Sequence, residues 1–196
     1  MPTFIPKDSP AVTNCKKYFQ EKLAAGGSEF DQLDQGIFMT TIRYDFVYRN
    51  LEKGAHVLDF ACGNGNILYS LMVEVRSWIG VDFMPERRVP FLNRLANKNI
   101  DGGFFTSSAS IQELVRQFRP DTVVLCGILG CGGFTDWQAM VRVVENIPCR
   151  IIATVPVTTP NYEETVIARF DEDEVRATSG VVVEKLYDGL LGAVWA

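Results

Sequence analysis

Short apolar runs alternate with longer amphipathic stretches along the chain from residue 56 onward. The apolar runs are rich in Val, Ile, Leu and Phe, and they lie at 56–60, 77–81, 103–106, 122–126 and 150–155. The stretches between them have the length and polarity of helices, and they lie at 65–75, 86–97, 109–118 and 135–146. Continuous apolar runs are typical of strands buried on both faces of a parallel sheet. Their alternation with helices predicts a doubly wound α/β fold.

The end of the chain departs from this alternation. After a predicted helix at 171–178, two apolar runs at 181–187 and 190–195 are separated only by Asp188 and Gly189. An Asp-Gly pair between two apolar runs is typical of a tight β-hairpin. The complete prediction is a mostly parallel sheet of seven strands that ends in an antiparallel hairpin.

The N-terminal part of the chain has a different texture. Three prolines in the first ten residues precede a predicted helix at 12–25, and a Gly-Gly-Ser break leads into a second predicted helix at 28–51. We therefore divide the chain into a helical N-terminal segment, 1–50, and an α/β domain, 51–196.

Composition limits the environment and the partners. The 196 residues are 47% hydrophobic with a formal charge of −5, which suits one soluble domain with a substantial core. No apolar run reaches the ~20 residues of a membrane span, and the first residues lack the charged-then-apolar pattern of a secretion signal. We therefore expect a cytoplasmic protein without membrane contacts. The acidic balance disfavours binding to nucleic-acid backbones, which requires clustered Lys and Arg.

Cysteine and histidine usage predicts no metal centre. The five cysteines are irregularly spaced without a C-x-x-C pair, and His56 is the only histidine. Zinc sites usually need four such ligands at short spacings, and a chain with this much core does not depend on disulfides. We expect the cysteines to be reduced core or loop residues.

Segment 57–66, VLDFACGNGN, has the most chemical content. Its pattern predicts a strand, then a Gly-rich turn, then the start of a helix. Glycine lets the backbone turn sharply and lets a ligand approach without a Cβ in the way. Seventeen residues after Gly65, the second predicted strand ends in Asp82. Beside a Gly-rich turn on the neighbouring parallel strand, such an acid can accept hydrogen bonds from both ribose hydroxyls of a nucleoside. The two features together predict a nucleoside site.

Two other interpretations stay open. The glycines can serve only a tight strand–helix connection, while Asp59 and Asp82 each cap the helix that follows. A dinucleotide ligand is the other possibility, although Leu68 occupies the third glycine position of the G-x-G-x-x-G fingerprint. Asp59 also disfavours a dinucleotide, because a carboxylate repels a pyrophosphate and attracts an ammonium group.

Segments 59–65 (DFACGNG) and 80–86 (GVDFMPE) resemble the first two motifs of class I S-adenosylmethionine-dependent methyltransferases, and the terminal hairpin resembles the last two strands of that fold. The resemblance covers about residues 50–196 and implies a Rossmann-like methyltransferase fold with S-adenosylmethionine as cofactor. In the loop after the third strand, Ser108 stands where the family places an acid near the adenine. The implied cofactor-binding residues are Asp59, Ala61, Gly63, Asn64, Gly65, Asp82, Phe83, Met84, Ser108, Ala109 and Gly127.

The acceptor site is expected beyond the carboxyl ends of the strands. It would lie in the loops after the fourth and fifth strands, under the N-terminal segment, which in the family often forms a lid. The expected acceptor-binding residues are Tyr44, Ile128, Leu129, Phe134 and Tyr162. We predict that residues 1–50 form a mobile cover, with a hinge at the glycine pair 26–27.

No catalytic residue is assigned. His56 precedes the first strand at the end opposite the site, and the Pro-Cys and Asn-Pro-Pro-Tyr patterns of DNA methylases are absent from the expected positions. The candidates for a general base are Tyr44, Asp45, Tyr162, Glu163 and Glu164. The predicted function is methyl transfer from S-adenosylmethionine to a small-molecule acceptor. The alternatives are a non-catalytic S-adenosylmethionine-binding subunit that needs a partner and an NAD-dependent oxidoreductase.

Overall fold

A seven-stranded sheet forms the centre of the computed structural model, which describes residues 36–130, 134–159 and 168–196, without the side chains of 36–40 and 70. The strands are β1 (His56–Phe60), β2 (Ser77–Asp82), β3 (Gly102–Thr106), β4 (Thr122–Leu125), β5 (Arg150–Pro156), β6 (Val181–Tyr187) and β7 (Leu190–Trp195). Their order across the sheet is β3-β2-β1-β4-β5-β7-β6. Strands β1 to β5 are parallel, and β7 is antiparallel to both β5 and β6. The predicted doubly wound sheet and its terminal hairpin are confirmed.

The helices lie largely where the amphipathic stretches predict them. They are α1 (Gly36–Asn50), α2 (Arg88–Lys98), α3 (Ile111–Phe118), α4 (Trp137–Val144) and α5 (Glu172–Ala177). Polar caps define several starts. The Ser110 side chain accepts from the Glu113 backbone N–H, and the Ser110 backbone N–H donates to the Glu113 side chain, which completes a capping box. Asp136 and Asp171 accept from the third residue of their helices in the same way.

The predicted helix at 65–75 is wrong over most of its length. Only a 3-10 helix, Asn66–Ser70, forms there, and the chain turns into an extended conformation at Leu71. The N-cap residue, Gly65, offers no side-chain cap, and the β-branched Val73 and Val75 disfavour continuation of the helix. The extended chain instead hydrogen-bonds to the segment before β1, where Gly54 N donates to Glu74 O at 2.8 Å.

Hydrophobic clusters cover both faces of the sheet. One face carries Leu58 and Phe60 of β1 together with the buried side of α4, including Trp137 and Met140. The opposite face carries Val57 and Trp78 with α1 and α2. Successive residues of a strand point to opposite faces, so Asp59 lies on the same face as Val57. This alternation places one carboxylate within the otherwise apolar layer under α1.

Helix α1 packs into this second cluster through the buried side chains of Phe46 and Val47. The hydroxyl of Tyr48 in α1 also donates to the carbonyl of Ile67 in the 3-10 helix. Helix α1 therefore shares a core with the α/β domain, and the predicted boundary at residue 50 stays a prediction. The predicted helix at 12–25 and the hinge at 26–27 lie outside the described residues.

None of the helices in the described ranges combines the length and the apolar character that a membrane crossing requires.

Candidate functional site

The loop after β1 makes a tight left-handed turn at the carboxyl edge of the sheet. Ala61, Gly63 and Gly65 have φ values of +61°, +53° and +73°. A left-handed alanine is strained, and such residues cluster at functional sites. A Cβ built at Gly63 would meet no atom within 4 Å. The loop therefore has open space beside Gly63.

Asp82, the last residue of β2, links this loop to the second strand. Its Oδ2 accepts from Gly63 N at 2.9 Å, and its Oδ1 accepts from Met84 N at 2.9 Å. A carboxylate offers about four lone-pair positions, so Asp82 retains capacity to accept a further hydrogen bond. Burial raises the pKa of Asp82, and hydrogen bonds from the backbone N–H groups of Met84, Gly63 and Phe83 oppose this shift, together with the charge of Arg87. The N-cap of the helix that follows is Met84, without a side-chain cap, so Asp82 does not cap that helix.

Asp59, in β1, is more deeply buried, with 3% of its surface exposed. Its Oδ2 accepts from Trp78 Nε1 at 3.2 Å. Burial and, to a smaller extent, the charge of Asp82 raise the pKa of Asp59 to about 7, against the lowering effect of the Trp78 hydrogen bond. The helix that follows is capped by Gly65 without a side-chain contact, so Asp59 is not a helix cap. Its charge changes near neutral pH.

Helix α1 places Tyr44 beside these acids. Burial raises the pKa of Tyr44 well above its ordinary value, and the charges of Cys126 and Asp59 add to the shift. Tyr44 is therefore protonated at neutral pH and can donate a hydrogen bond, but it is not a general base. Burial also raises the pKa of Cys126 to about 11, which opposes a nucleophilic role for this thiol.

The loop after β4 lies against the sheet rather than standing away from it. Gly127 N donates to Thr154 Oγ1 at 3.0 Å. Leu129 and Phe134 are buried in the core, and the Phe134 ring meets the Phe60 ring at a centroid distance of 5.8 Å. Ile128 is partly buried on the same cluster. Of the three predicted acceptor residues after β4, Leu129 and Phe134 are buried and Ile128 is partly exposed.

The loop after β3 approaches the site from the other side. Ser107 N donates to the backbone oxygen of Asp82 at 3.0 Å, and Ala109 N donates to Ser107 Oγ at 3.0 Å. Ser108 between them is exposed. Phe83 is half-buried and Met84 is buried. The loop after β3 is therefore attached to the end of β2 through Ser107.

Other predicted residues lie away from the site or outside the described ranges. The ring of His56 contacts the Ser77 hydroxyl and, through Nε2, the Phe118 carbonyl at 3.1 Å, at the opposite end of β1. Asp45 is exposed and pairs with Arg49 Nε at 2.8 Å. Tyr162, Glu163 and Glu164 are outside the described residues. Across the described ranges, no group of His, Cys, Asp and Glu is arranged to hold a metal ion.

Three residues of the site are absent from the sequence-based prediction. Trp78 contacts Asp59, as above, and Asn66 Oδ1 is buried without a hydrogen-bond partner in the described part of the chain. Arg94 donates to the Asn64 carbonyl in the Gly-rich loop and, through Nη2, to the Tyr69 hydroxyl at 3.2 Å. Asn66 follows the last glycine of the motif directly and could have been identified from the sequence. Trp78 and Arg94 reach the site across strands and helices, and no local pattern marks them.

The sheet order, the terminal hairpin and the Gly-rich loop beside Asp82 together define the Rossmann-like methyltransferase fold. Three solved structures share it at low identity. The chain is similar to magnesium protoporphyrin IX methyltransferase from Synechocystis PCC 6803 with bound SAM, at 14% identity and a TM-score of 0.59 over 97% of this chain and 100% of that chain. It is similar to DhpI in a SAM–HEP complex, at 12% identity and a TM-score of 0.59 over 96% and 99% of the two chains.

The third structure is 1,6-didemethyltoxoflavin-N1-methyltransferase from Burkholderia thailandensis with bound 1,6-didemethyltoxoflavin and S-adenosylhomocysteine. The identity is 14% and the TM-score is 0.56, over 96% of this chain and 92% of that chain. No protein-family profile and no curated protein matches the sequence. The likeness confirms the predicted fold.

Proposed function

We propose that the chain binds S-adenosylmethionine in the cleft beside the Gly-rich loop and transfers its methyl group to a small-molecule acceptor. The observation that carries the proposal is the pairing of Gly63 with Asp82. Open space beside Gly63 adjoins a buried carboxylate that retains acceptor capacity. This combination suits a ribose that lies over the loop and donates both hydroxyls to Asp82.

The donor set of the cleft fits the remaining parts of this cofactor. Asp59 and the buried Asn66 Oδ1 are acceptors for an ammonium group. Phe83, Met84, Ser108 and Ala109 would contact the adenine, and Gly127 would contact the amino-acid moiety. The buried Asp59 disfavours the pyrophosphate of NAD, because like charges repel strongly at low dielectric. S-adenosylmethionine supplies a methyl group on a positively charged sulfur, which departs with the bonding electrons.

The protein's contribution to transfer would be to align the acceptor and to exclude water. We assign Tyr44 and Ile128 to the acceptor side of the cleft, with Tyr44 as a hydrogen-bond donor. Leu129 and Phe134 would support this wall from the core. The named small-molecule acceptors of structurally similar enzymes support an acceptor of this class.

The first test is the binding of S-adenosylhomocysteine to an Asp82→Ala variant, measured by calorimetry. Loss of charge-assisted hydrogen bonds of about 1.5–3 kcal/mol weakens binding at least about tenfold. Asp101→Ala, at an exposed acid before β3, is the matched control and should bind as the parent does. Equal affinity of the Asp82→Ala variant and the parent would contradict the ribose contact. Circular dichroism checks that both variants fold.

A non-catalytic subunit is a second candidate, and one observation favours it. Tyr44, Cys62 and Cys126 all have pKa values raised by burial, so none of them is a base at neutral pH. Formation of S-adenosylhomocysteine by the isolated chain with a panel of small-molecule acceptors distinguishes the two candidates. Binding without turnover across the panel favours the subunit.

A further inference from the structure

The indole of Trp78 makes the single hydrogen bond that the structure describes for the buried carboxylate of Asp59. Trp78 is fully buried in β2, and its Nε1 lies 3.2 Å from Asp59 Oδ2. In the register of the sheet, Trp78 pairs with Val57, and Asp59 pairs with Gly80. The contact is therefore diagonal across two parallel strands. Gly80 has no side chain, so the diagonal neighbour is the one that reaches the acid.

Each partner of this contact satisfies a requirement of the other. A buried indole N–H needs an acceptor, and a buried carboxylate needs donors. The hydrogen bond from Trp78 holds Oδ2 of Asp59. One oxygen of the carboxylate is thus fixed in the sheet, which sets the orientation of the other oxygen.

We propose that Trp78 is a positioning residue, which orients the Asp59 carboxylate toward the ammonium group of the bound cofactor. The inference rests on the proposed function, because it takes the ligand of Asp59 to be the amino-acid moiety of S-adenosylmethionine. Trp78 itself acts only through Asp59.

The charged and titratable groups around Asp59 set the electrostatic balance. Asp82 of β2 raises its pKa, and the Trp78 hydrogen bond lowers it. Tyr44 of α1, Cys62 of the Gly-rich loop and Cys126 after β4 also feel the charge of Asp59. These three groups carry protons at neutral pH, so they place no further charge beside the carboxylate. Arg43 of α1 and Arg87 after β2 act on Cys126 and on Asp82, respectively.

This balance predicts a specific pH dependence of binding. Ionised Asp59 attracts an ammonium group and protonated Asp59 does not, so affinity rises as the pH passes through the pKa of the free protein, about 7. Removal of the Trp78 donor raises that pKa further, because a hydrogen bond to the charged form favours it. The rise in affinity therefore moves to higher pH.

The experiment compares Trp78→Phe with the parent chain, using S-adenosylhomocysteine as the probe between pH 5.5 and 9. The expected result is a midpoint shifted upward by about one pH unit, with about fivefold weaker binding at pH 7. Trp137→Phe is the matched control, because Trp137 is also buried and its Nε1 donates to Thr178 Oγ1 at 2.9 Å. Its pH profile should equal that of the parent.

A Trp78→Phe profile that is lowered by the same factor at every pH, or that is unchanged, overturns the positioning role. If the parent binds no S-adenosylhomocysteine at any pH, the proposed function itself fails. If the Trp78→Phe variant does not fold, the indole N–H resonance of Trp78 is followed against pH in the ligand-free parent. Its chemical shift should change with pH, and the midpoint of that change should equal the midpoint of the rise in affinity. A chemical shift that is constant from pH 5.5 to 9 overturns the proposal.

Discussion

Two acids lie at the carboxyl ends of neighbouring strands, and their surroundings differ. Asp82 accepts from backbone N–H groups, those of Gly63 and Met84 among them, whereas Asp59 accepts from one indole N–H. Backbone donors are fixed by the fold and stabilise the charge of Asp82. Asp59 has fewer donors and deeper burial, so its pKa of about 7 lies within the physiological range. Burial on folding therefore favours the neutral form of Asp59, whereas binding of an ammonium group favours the charged form.

We predict that Asp59→Asn stabilises the ligand-free protein at pH 8. The pKa of Asp59 is raised from 3.8 to about 7 on folding. Between these values the folded state holds a proton that the unfolded chain has lost. The unfolding free energy of the parent therefore falls as the pH rises from 4 to 7, and the full penalty is present above pH 7.

Asparagine carries no charge and removes this penalty, which is worth about 1.4 kcal/mol for each unit of raised pKa. Urea denaturation at pH 4 and pH 8 measures the effect. The gain should be a few kcal/mol at pH 8 and close to zero at pH 4. The exposed Asp101→Asn variant should show no such difference. An equal effect of Asp59→Asn at both pH values would mean that the charge of Asp59 does not oppose folding.

At the scale of elements, the docking of α1 on β7 connects the N-terminal segment to the site. Phe46 of α1 packs directly over Gly192 of β7, where a Cβ would lie 2.4 Å from two carbon atoms of the ring. Helix α1 also carries Tyr44, whose pKa responds to Asp59 and Cys126. The small residue in β7 thus permits the helix to approach the sheet and brings Tyr44 to the cleft.

Gly192→Ala should therefore displace Phe46 and destabilise the protein by about 1–3 kcal/mol, the usual cost of overpacking a core. Chemical denaturation measures the loss. Gly103→Ala in β3 is the matched control, because its Cβ would make only an ordinary contact at 3.4 Å with Phe105, and its effect should stay within about 0.5 kcal/mol. If the two variants are equally destabilised, the close packing of Phe46 is not the reason for glycine at residue 192.

At the scale of the whole molecule, the strands were predictable because strands buried on both faces keep an uninterrupted apolar pattern. The order of the strands was accessible only through the resemblance to a known fold, since pairing joins residues that are far apart in sequence. Asp59 and Asp82 were found because a local motif surrounds each of them. Trp78 is hidden in an apolar strand, and its role depends on the register of β1 against β2. The burial of Leu129 and Phe134 likewise results from tertiary packing.

Ligand binding should stabilise the entire fold, because the cleft joins loops from several strands. With S-adenosylhomocysteine at about 1,000 times its Kd, linkage predicts about 4 kcal/mol of added stability. For a domain of this size that corresponds to a rise in Tm of about 10 °C. NAD at the same concentration should give no rise, and Asp82→Ala should reduce the shift with S-adenosylhomocysteine. A shift that is equal for both compounds would contradict a cleft selective for S-adenosylmethionine.

The position of Trp78 gives the protein a built-in optical probe. The chain has three tryptophans, and Trp137 and Trp195 belong to a separate aromatic group in which their ring centroids are 6.0 Å apart. A chain with phenylalanine at both of those positions would emit from Trp78 alone. Because its indole is hydrogen-bonded to Asp59, ionisation of that acid would alter the electric field on the ring and therefore its fluorescence. Occupancy of the cleft could then be followed in real time without a label.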